Sequence, residues 1–219
     1  MARASLELAS VACLMCVALG GLATYRESAA LTYGVQGGER IYERIRTGDI
    51  SLGYSYYSKK RVMVSCLDGM SPFSMAVRAP EQSEAFVKNC QALSADILAS
   101  TPVDSLAWAV TARVASVVKD AALMNSALMN SQATAPSAEW LATIRVGISE
   151  ANYGLLDQAN KDVNAKDLGV LVVSNSGVAA IADRYWKVPE FKERITTVVS
   201  ALPDYEQARF LAYIRRAAK

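Results

Sequence analysis

Residues 102–145 constrain the fold most, because their apolar residues recur at helical spacing on either side of two turns. Pro102 ends a preceding helix, and Asp104 or Ser105 is a suitable N-cap for the next one. A segment rich in Ala, Leu and Met follows, and a turn closing at Pro136 leads into a helix capped by Ser137. One such hairpin cannot bury its apolar face alone. The stretch therefore predicts an all-α fold of packed antiparallel helices.

Trp108 and Trp140 lie about one tetratricopeptide period apart. Counting that repeat from Trp108 places Ala112 at a position that requires a small residue, Leu128 at a large apolar position and Pro136 at the closing proline. Other positions depart from the consensus types: Thr111, Ala115 and Met124. Two architectures stay open, a tetratricopeptide-like α-solenoid and an irregular helical bundle. In both we expect the two indole rings to pack between helices.

The same stretch resembles helical, tetratricopeptide-like proteins associated with exopolysaccharide synthesis and export in alphaproteobacteria. The residues that carry the resemblance are Pro102, Ser105, Ala107, Trp108, Ala112, Ser131, Pro136, Glu139, Trp140 and Arg145. It covers roughly residues 85–160, and these are mostly packing positions. The resemblance implies a helical array that works beside a polysaccharide assembly or export system, and it supplies no catalytic residues.

The chain contains no histidine, and its formal net charge is +2. The absence of histidine excludes histidine-based triads and histidine zinc sites. The nearly balanced charge argues against nucleic-acid binding, which requires a concentrated basic face. The acidic residues are scattered along the helices instead of forming the facing pair that a glycosidase needs. We therefore expect no enzymatic activity and no cofactor or metal.

The cysteines fall into two groups. Cys13 and Cys16 lie inside an apolar run and are best interpreted as small fillers of a membrane helix. Cys66 and Cys90 lie in the body of the chain and form a candidate disulfide if that body faces an oxidising compartment.

Residues 1–25 form the clearest targeting segment. An almost unbroken apolar run from Leu8 to Tyr25 is about long enough to span a membrane. It is either an uncleaved anchor, which we favour, or a cleaved signal with Gly21 and Ala23 near the cleavage site. The anchor places a single-pass protein in the inner membrane with its helical domain in the periplasm. Cleavage would make the chain periplasmic or secreted.

Residues 26–79 are predicted to be a connector containing one short helix that ends at Gly48. The connector contains an aromatic-basic patch, composed of Tyr54, Tyr56, Tyr57, Lys59, Lys60 and Arg61. Such a patch can stack on sugars or lie at a membrane surface. The interpretation we favour is a solvated connector whose tyrosines cover the domain.

Residues 80–219 are predicted to form the tetratricopeptide-like domain, with Pro80 at the start of its first helix. Later helices are expected to begin at Pro189 and Pro203, and Gly177 is expected to end a helix in the left-handed conformation. Arg145 is expected near the edge of an apolar stripe.

These features together predict a membrane-anchored extracytoplasmic adaptor that contacts protein components of a polysaccharide assembly or export system. Helical-repeat surfaces bind by shape and need no reactive groups. The alternatives are direct binding of an anionic polysaccharide by the aromatic-basic patch and, as a further alternative, an enzyme acting on glycans.

Overall fold

The computed structural model describes residues 2–32 and 38–218, with side chains described at 10–28 and 38–218. All regular secondary structure in these ranges is helical, which confirms the predicted all-α class. The chain divides into two compact units, Met1–Leu93 and Ser94–Lys219. The division falls inside one helix, and the domain limits at residues 25 and 79 stay a prediction.

The first unit is built from consecutive helices: α1 Ala2–Thr32, α2 Gly38–Thr47, α3 Tyr56–Gly69, α4 Pro72–Ala76 and most of α5 Pro80–Ser100. Local sequence explains their limits. Ser55 and Ser71 cap α3 and α4 by accepting hydrogen bonds from Ser58 N and Ser74 N. Gly48 follows α2 with φ 75°, so the predicted helix end at this glycine is confirmed. Pro80 begins α5, also as predicted.

The first unit has a compact aromatic and disulfide core. The rings of Tyr42 and Phe86 stack with centroids 4.3 Å apart. Gly69 lies directly beneath the Phe86 ring, where an added Cβ would come within 2.3 Å of Phe86 Cζ. The structure brings the predicted cysteine pair together: Cys66 and Cys90 form a disulfide with their Cα atoms 5.7 Å apart. In its described residues, the segment expected to be a connector with one short helix thus contains the end of α1, all of α2, α3 and α4, and buried residues of its own.

The second unit begins within α5 and continues through α6 Ser105–Val118, α7 Ala121–Thr134, α8 Glu139–Ala151, a short 3₁₀ helix Tyr153–Leu155, α9 Gln158–Val173, α10 Gly177–Lys187, α11 Phe191–Ser200 and α12 Asp204–Ala217. Aspartates cap three of these helices, since Asp104, Asp120 and Asp157 accept hydrogen bonds from backbone N–H groups in the first turns.

Two antiparallel hairpins, α6 with α7 and α8 with α9, form the first part of the second unit. Small residues at the contact, including Ala112, Ala115 and Ala127, let α6 and α7 approach closely around Leu128. Helices α10, α11 and α12 then pack against α9 over a second core that contains Phe191 and Phe210. The predicted hairpin pattern is therefore present in this unit.

Several predicted helix limits are wrong by a few residues. Gly177 begins α10 instead of ending α9, and its amide donates to Ser174 Oγ at 2.7 Å. In the second unit, Lys119 ends α6 in the left-handed conformation, with φ 63°. Helices α11 and α12 begin one or two residues after the predicted prolines. The helix predicted to be capped by Ser137 is α8, and its N-cap is Ala138, which makes no side-chain capping bond. It ends at Ala151, where the backbone changes to the 3₁₀ turn.

Among the described residues, no single helix is both long and apolar enough to qualify as a candidate membrane span, whereas the bent pair of α9 and α10, which meet at 117°, passes by length and composition.

Candidate functional site

Ser105 and Ser131 join the two helices of the first hairpin through a buried pair of hydrogen bonds. Ser105 Oγ donates to Ser131 O at 2.6 Å, and Ser131 Oγ donates to Ser105 O at 2.9 Å. Both side chains are removed from water, so each hydroxyl needs the partner that the other residue provides. This exchange fixes the start of α6 against the last turn of α7.

Arg145 extends this polar group into the second hairpin. Its guanidinium donates to the Asp167 carboxylate from Nε and from Nη2, each at 2.7 Å, and its Nη1 donates to Ser131 O at 3.4 Å. Arg145 and Asp167 are each 1% exposed. Burial raises the pKa of the Asp167 carboxyl above its usual range, and the Arg145 guanidinium opposes that rise. The expectation that Arg145 lies at the edge of the stripe is therefore wrong, because it lies in the interior.

A groove opens on the surface of the second unit where α8 and α10 begin. Its volume is about 580 Å³, and it is lined by Glu139, Trp140, Thr143, Ser176, Gly177 and Ala180. Trp140 is 39% exposed along the groove, which contradicts the expectation that its ring is buried between helices. Trp108, by contrast, is half-buried against the first hairpin and donates Nε1–H to Pro102 O at 2.8 Å. We call the groove beside Trp140 the Trp140 groove.

The Trp140 groove has a defined polar side. Ser176 Oγ donates a hydrogen bond to Glu139 Oε1, which connects the first residue of α8 with the residue before α10. Gly177 has no room for a side chain, since an added Cβ would come within 2.6 Å of Ser174 Oγ and 2.8 Å of Leu171 O. The groove thus presents an aromatic surface beside a fixed carboxylate, a combination that suits binding of a ligand with both apolar and hydrogen-bonding groups.

A second groove of about 450 Å³ lies between α9 and α11. Arg194 lines it, with its guanidinium carbon 4.0 Å from the Tyr153 ring centroid and Nη2 donating to Glu150 Oε2 at 2.6 Å. The buried Glu150 also accepts from Asn164 Nδ2 at 2.6 Å. Charges of both signs line this groove, including Lys161 and Glu193, so it lacks a single electrostatic preference.

The aromatic-basic patch of the first unit lies at the start of α3. Tyr54, Tyr56 and Tyr57 are 56%, 52% and 78% exposed. Tyr54 accepts a hydrogen bond from Arg26 Nη1 at 3.0 Å, and the Lys60 ammonium lies 5.9 Å from the Tyr56 ring centroid. The predicted patch residues thus lie together at the N-terminal end of α3, with Tyr54 just before the Ser55 N-cap and the other five in the first two turns.

No three Cys, Asp or Glu side chains within the described ranges are arranged to bind a metal ion. The predicted site residues did not include Asp167, Glu150 or Ser176. The one sequence signal for Asp167 is indirect: a charged residue such as Arg145 beside an apolar stripe requires a counter-charge once it is buried. Nothing in the local spacing identifies which acid provides it.

The fold and these surfaces define an all-helical protein whose antiparallel hairpins are joined by buried polar contacts and present an aromatic groove. No family model, curated protein or solved structure matches the chain in the comparisons made.

Proposed function

We propose that this protein is a membrane-anchored, extracytoplasmic helical adaptor that serves as an accessory component of exopolysaccharide assembly or export. The observation that carries the proposal is the Trp140 groove on a unit of stacked hairpins. In protein–protein interfaces a few residues supply most of the binding energy, and tryptophan is enriched among them. The exposed Trp140, beside the fixed carboxylate, is suited to that role. An adaptor needs such a binding surface and no reactive side chains.

The resemblance to exopolysaccharide-associated helical proteins supports the specific version of the proposal. Three residues of that resemblance, Ser105, Ser131 and Arg145, are hydrogen-bonded to one another inside the second unit. Two others, Glu139 and Trp140, line the groove. The residues of the resemblance thus include positions that set the hairpin geometry and positions that face a partner.

Two features support the proposed compartment. Among the described side chains of α1, the large apolar ones between residues 11 and 22 are exposed, namely Val11, Leu14, Met15, Val17, Leu19 and Leu22. A bilayer would cover such a surface. The Cys66–Cys90 disulfide is typical of proteins that face an oxidising compartment such as the periplasm. The proposed location is the inner membrane, with α1 as a single anchor and the helical units in the periplasm.

Site-specific photocrosslinking in the host tests the adaptor function. A photoreactive phenylalanine analogue replaces Thr143 in the groove, and a matched variant has it at Lys166, an exposed position of α9 outside the groove. We expect Thr143 to capture a membrane protein of polymer assembly or export that Lys166 does not capture. Loss of this product in Trp140→Ala, but not in Trp186→Ala at another exposed tryptophan, would assign the contact to the groove.

The same strains test the biological context. Deleting the gene is expected to lower secreted exopolysaccharide. Trp140→Ala is expected to lower it as well, while the variant protein remains at its normal level. Unchanged polymer output together with identical crosslinking from both positions would refute the adaptor proposal.

A further inference from the structure

The exposed apolar surface of α1 ends where the aromatic-basic patch of α3 begins. Apolar side chains are exposed as far as Leu22, and Tyr25 follows at 73% exposure. The next two residues, Arg26 and Glu27, contact the segment that leads into α3. The transition from apolar to polar surface on one helix therefore coincides with the docking point of another.

The docking contact is specific. Glu27 Oε1 accepts from Ser55 N at 2.5 Å, and Glu27 Oε2 accepts from Ser58 Oγ at 2.5 Å and from Ser55 Oγ at 3.0 Å. Gly53 lies against the same carboxylate, because an added Cβ would come within 2.8 Å of Glu27 Oε1. These bonds place the first turn of α3 beside the residues that directly follow Tyr25.

The composition of the first turns of α3 suits the boundary between hydrocarbon and water. Tyr54 just before the helix and Tyr56 and Tyr57 in its first turn expose rings whose hydroxyls are polar. Lys59, Lys60 and Arg61 follow in α3. Tyrosines are enriched at the headgroup level of membranes, and long basic side chains extend to phosphate groups while their aliphatic stems cover apolar surface.

We infer that the aromatic-basic patch binds the phospholipid headgroups of the bilayer that α1 spans, and so fixes the first unit against the membrane surface. The inference rests on the proposed anchoring by α1. Its support is the direct continuity between the exposed apolar side chains and the patch, together with the excess of positive charge in the patch. The ligand is an anionic phospholipid, because Lys59, Lys60 and Arg61 add three cations to that of Arg26.

A soluble anionic polysaccharide is the competing ligand for these residues. Its binding would not require the patch to lie beside the end of an exposed apolar helix, whereas headgroup binding does. The patch also lies on the outer surface of a helix end, and a flat layer of phosphates can contact such a surface. These two observations favour the lipid.

Amine acetylation of the full chain in bilayer nanodiscs tests the inference. The chain is reconstituted into phosphatidylcholine discs and into discs that also contain phosphatidylglycerol. Acetylation rates of Lys59 and Lys60 are then measured by mass spectrometry, with the exposed Lys119 and Lys166 as internal references. We expect the two patch lysines to react several-fold more slowly in the anionic discs, since a basic residue near an anionic surface gains about fivefold in association. Salt at about 1 M should remove the protection.

A charge-reversed chain provides the matched comparison. The triple variant Lys59→Glu/Lys60→Glu/Arg61→Glu should no longer attach its patch to anionic discs. The control Lys187→Glu/Arg215→Glu/Arg216→Glu should retain that attachment. Hydrogen exchange in anionic discs measures the attachment as protection of the backbone amides of α3. Equal amide protection in both variants would overturn the inference.

Further outcomes separate this inference from the anchoring on which it rests. A chain that stays with the discs after an alkaline wash, yet shows the same lysine rates in both lipid compositions, would overturn the inference and leave the anchor standing. A chain that the wash removes would overturn both. Protection by soluble alginate but not by phosphatidylglycerol would overturn the lipid assignment and make the patch a glycan site.

Discussion

Arg145 and Asp167 form a buried bidentate ion pair that joins α8 to α9, with both nitrogen–oxygen distances at 2.7 Å. Each residue is 1% exposed, so neither charge is compensated by water. The third contact of the guanidinium, to the Ser131 carbonyl, links this pair to the first hairpin. Arg145 therefore joins Asp167 within the second hairpin to Ser131 of the first hairpin.

Asp167→Ala should destabilise the protein by about 3–5 kcal/mol, because it leaves the Arg145 charge buried without a counter-ion. The double variant Arg145→Met/Asp167→Leu should recover most of that loss, since it removes both charges and keeps apolar volume. Urea denaturation followed by circular dichroism measures both. Asp162→Ala, at an exposed position of the same helix, is the control and should change stability by less than about 0.5 kcal/mol. Equal losses at positions 162 and 167 would contradict the role of the pair.

Ser131→Ala should cost about 0.5–1.5 kcal/mol, because the buried hydrogen bond from the Ser131 hydroxyl to the Ser105 carbonyl is lost while that carbonyl keeps its backbone partner within α6. Ser126→Ala on the same helix is exposed and should be neutral or slightly stabilising, since alanine has the higher helix propensity. The midpoints of thermal unfolding of the two variants give the comparison. A loss at position 126 as large as that at 131 would show that the reciprocal hydrogen bonds between Ser105 and Ser131 contribute nothing to stability.

Gly69→Ala and Gly147→Ala should change stability in opposite directions. At Gly69 the new methyl group would overlap the Phe86 ring beside the Cys66–Cys90 disulfide, and we expect a loss of about 1–3 kcal/mol. At Gly147 nothing lies within 4 Å of the added Cβ, and the helix interior should gain about 0.5–1 kcal/mol. Chemical denaturation of the oxidised proteins distinguishes the signs. A stabilising Gly69→Ala would refute the packing of Phe86 on this glycine.

The docking of α1 on α3 should weaken in acid. Hydrogen bonds from the Ser58 hydroxyl, then from the Ser55 amide, lower the pKa of Glu27 below its usual value. Because the folded-state pKa is the lower one, ionised Glu27 stabilises the docking at pH above the ordinary glutamate value of about 4.3. That contribution is lost as the pH falls through the lowered pKa. Amide exchange of residues 55–58, corrected for intrinsic rates, should be slow at neutral pH and fast in acid.

Glu27→Gln provides the control for this pH dependence. The amide should show the faster corrected exchange already at neutral pH, and its rate should no longer change in acid. Slow exchange of residues 55–58 in this variant at neutral pH would show that the carboxylate is not what fixes the start of α3.

The helical class and several helix starts could be predicted because they depend on neighbouring residues alone. Pro80 begins α5 and Asp104 caps α6, and both follow from local rules about proline and side-chain oxygen. The end of α2 at Gly48 follows in the same way, since glycine adopts a positive φ without steric cost.

The positions of Arg145 and Trp140 could not be predicted from spacing. Arg145 is buried because Asp167, which follows much later in the chain, provides a counter-charge that no local pattern identifies. Trp140 has the helical spacing of a core residue, yet it occupies the first turn of α8 where no later helix covers it completely. Both outcomes depend on which helices meet in space, and hydrophobic periodicity describes only one helix at a time.

The Ser131 carbonyl accepts hydrogen bonds from Ser105 Oγ and from Arg145 Nη1, and so the last turn of α7 touches two other helices at one atom. Inserting a single residue within α7 would rotate everything after it by about 100° and carry that oxygen away from both donors. Changes in chain length in this part of the protein are thus restricted to the connectors between helices, such as residues 135–138.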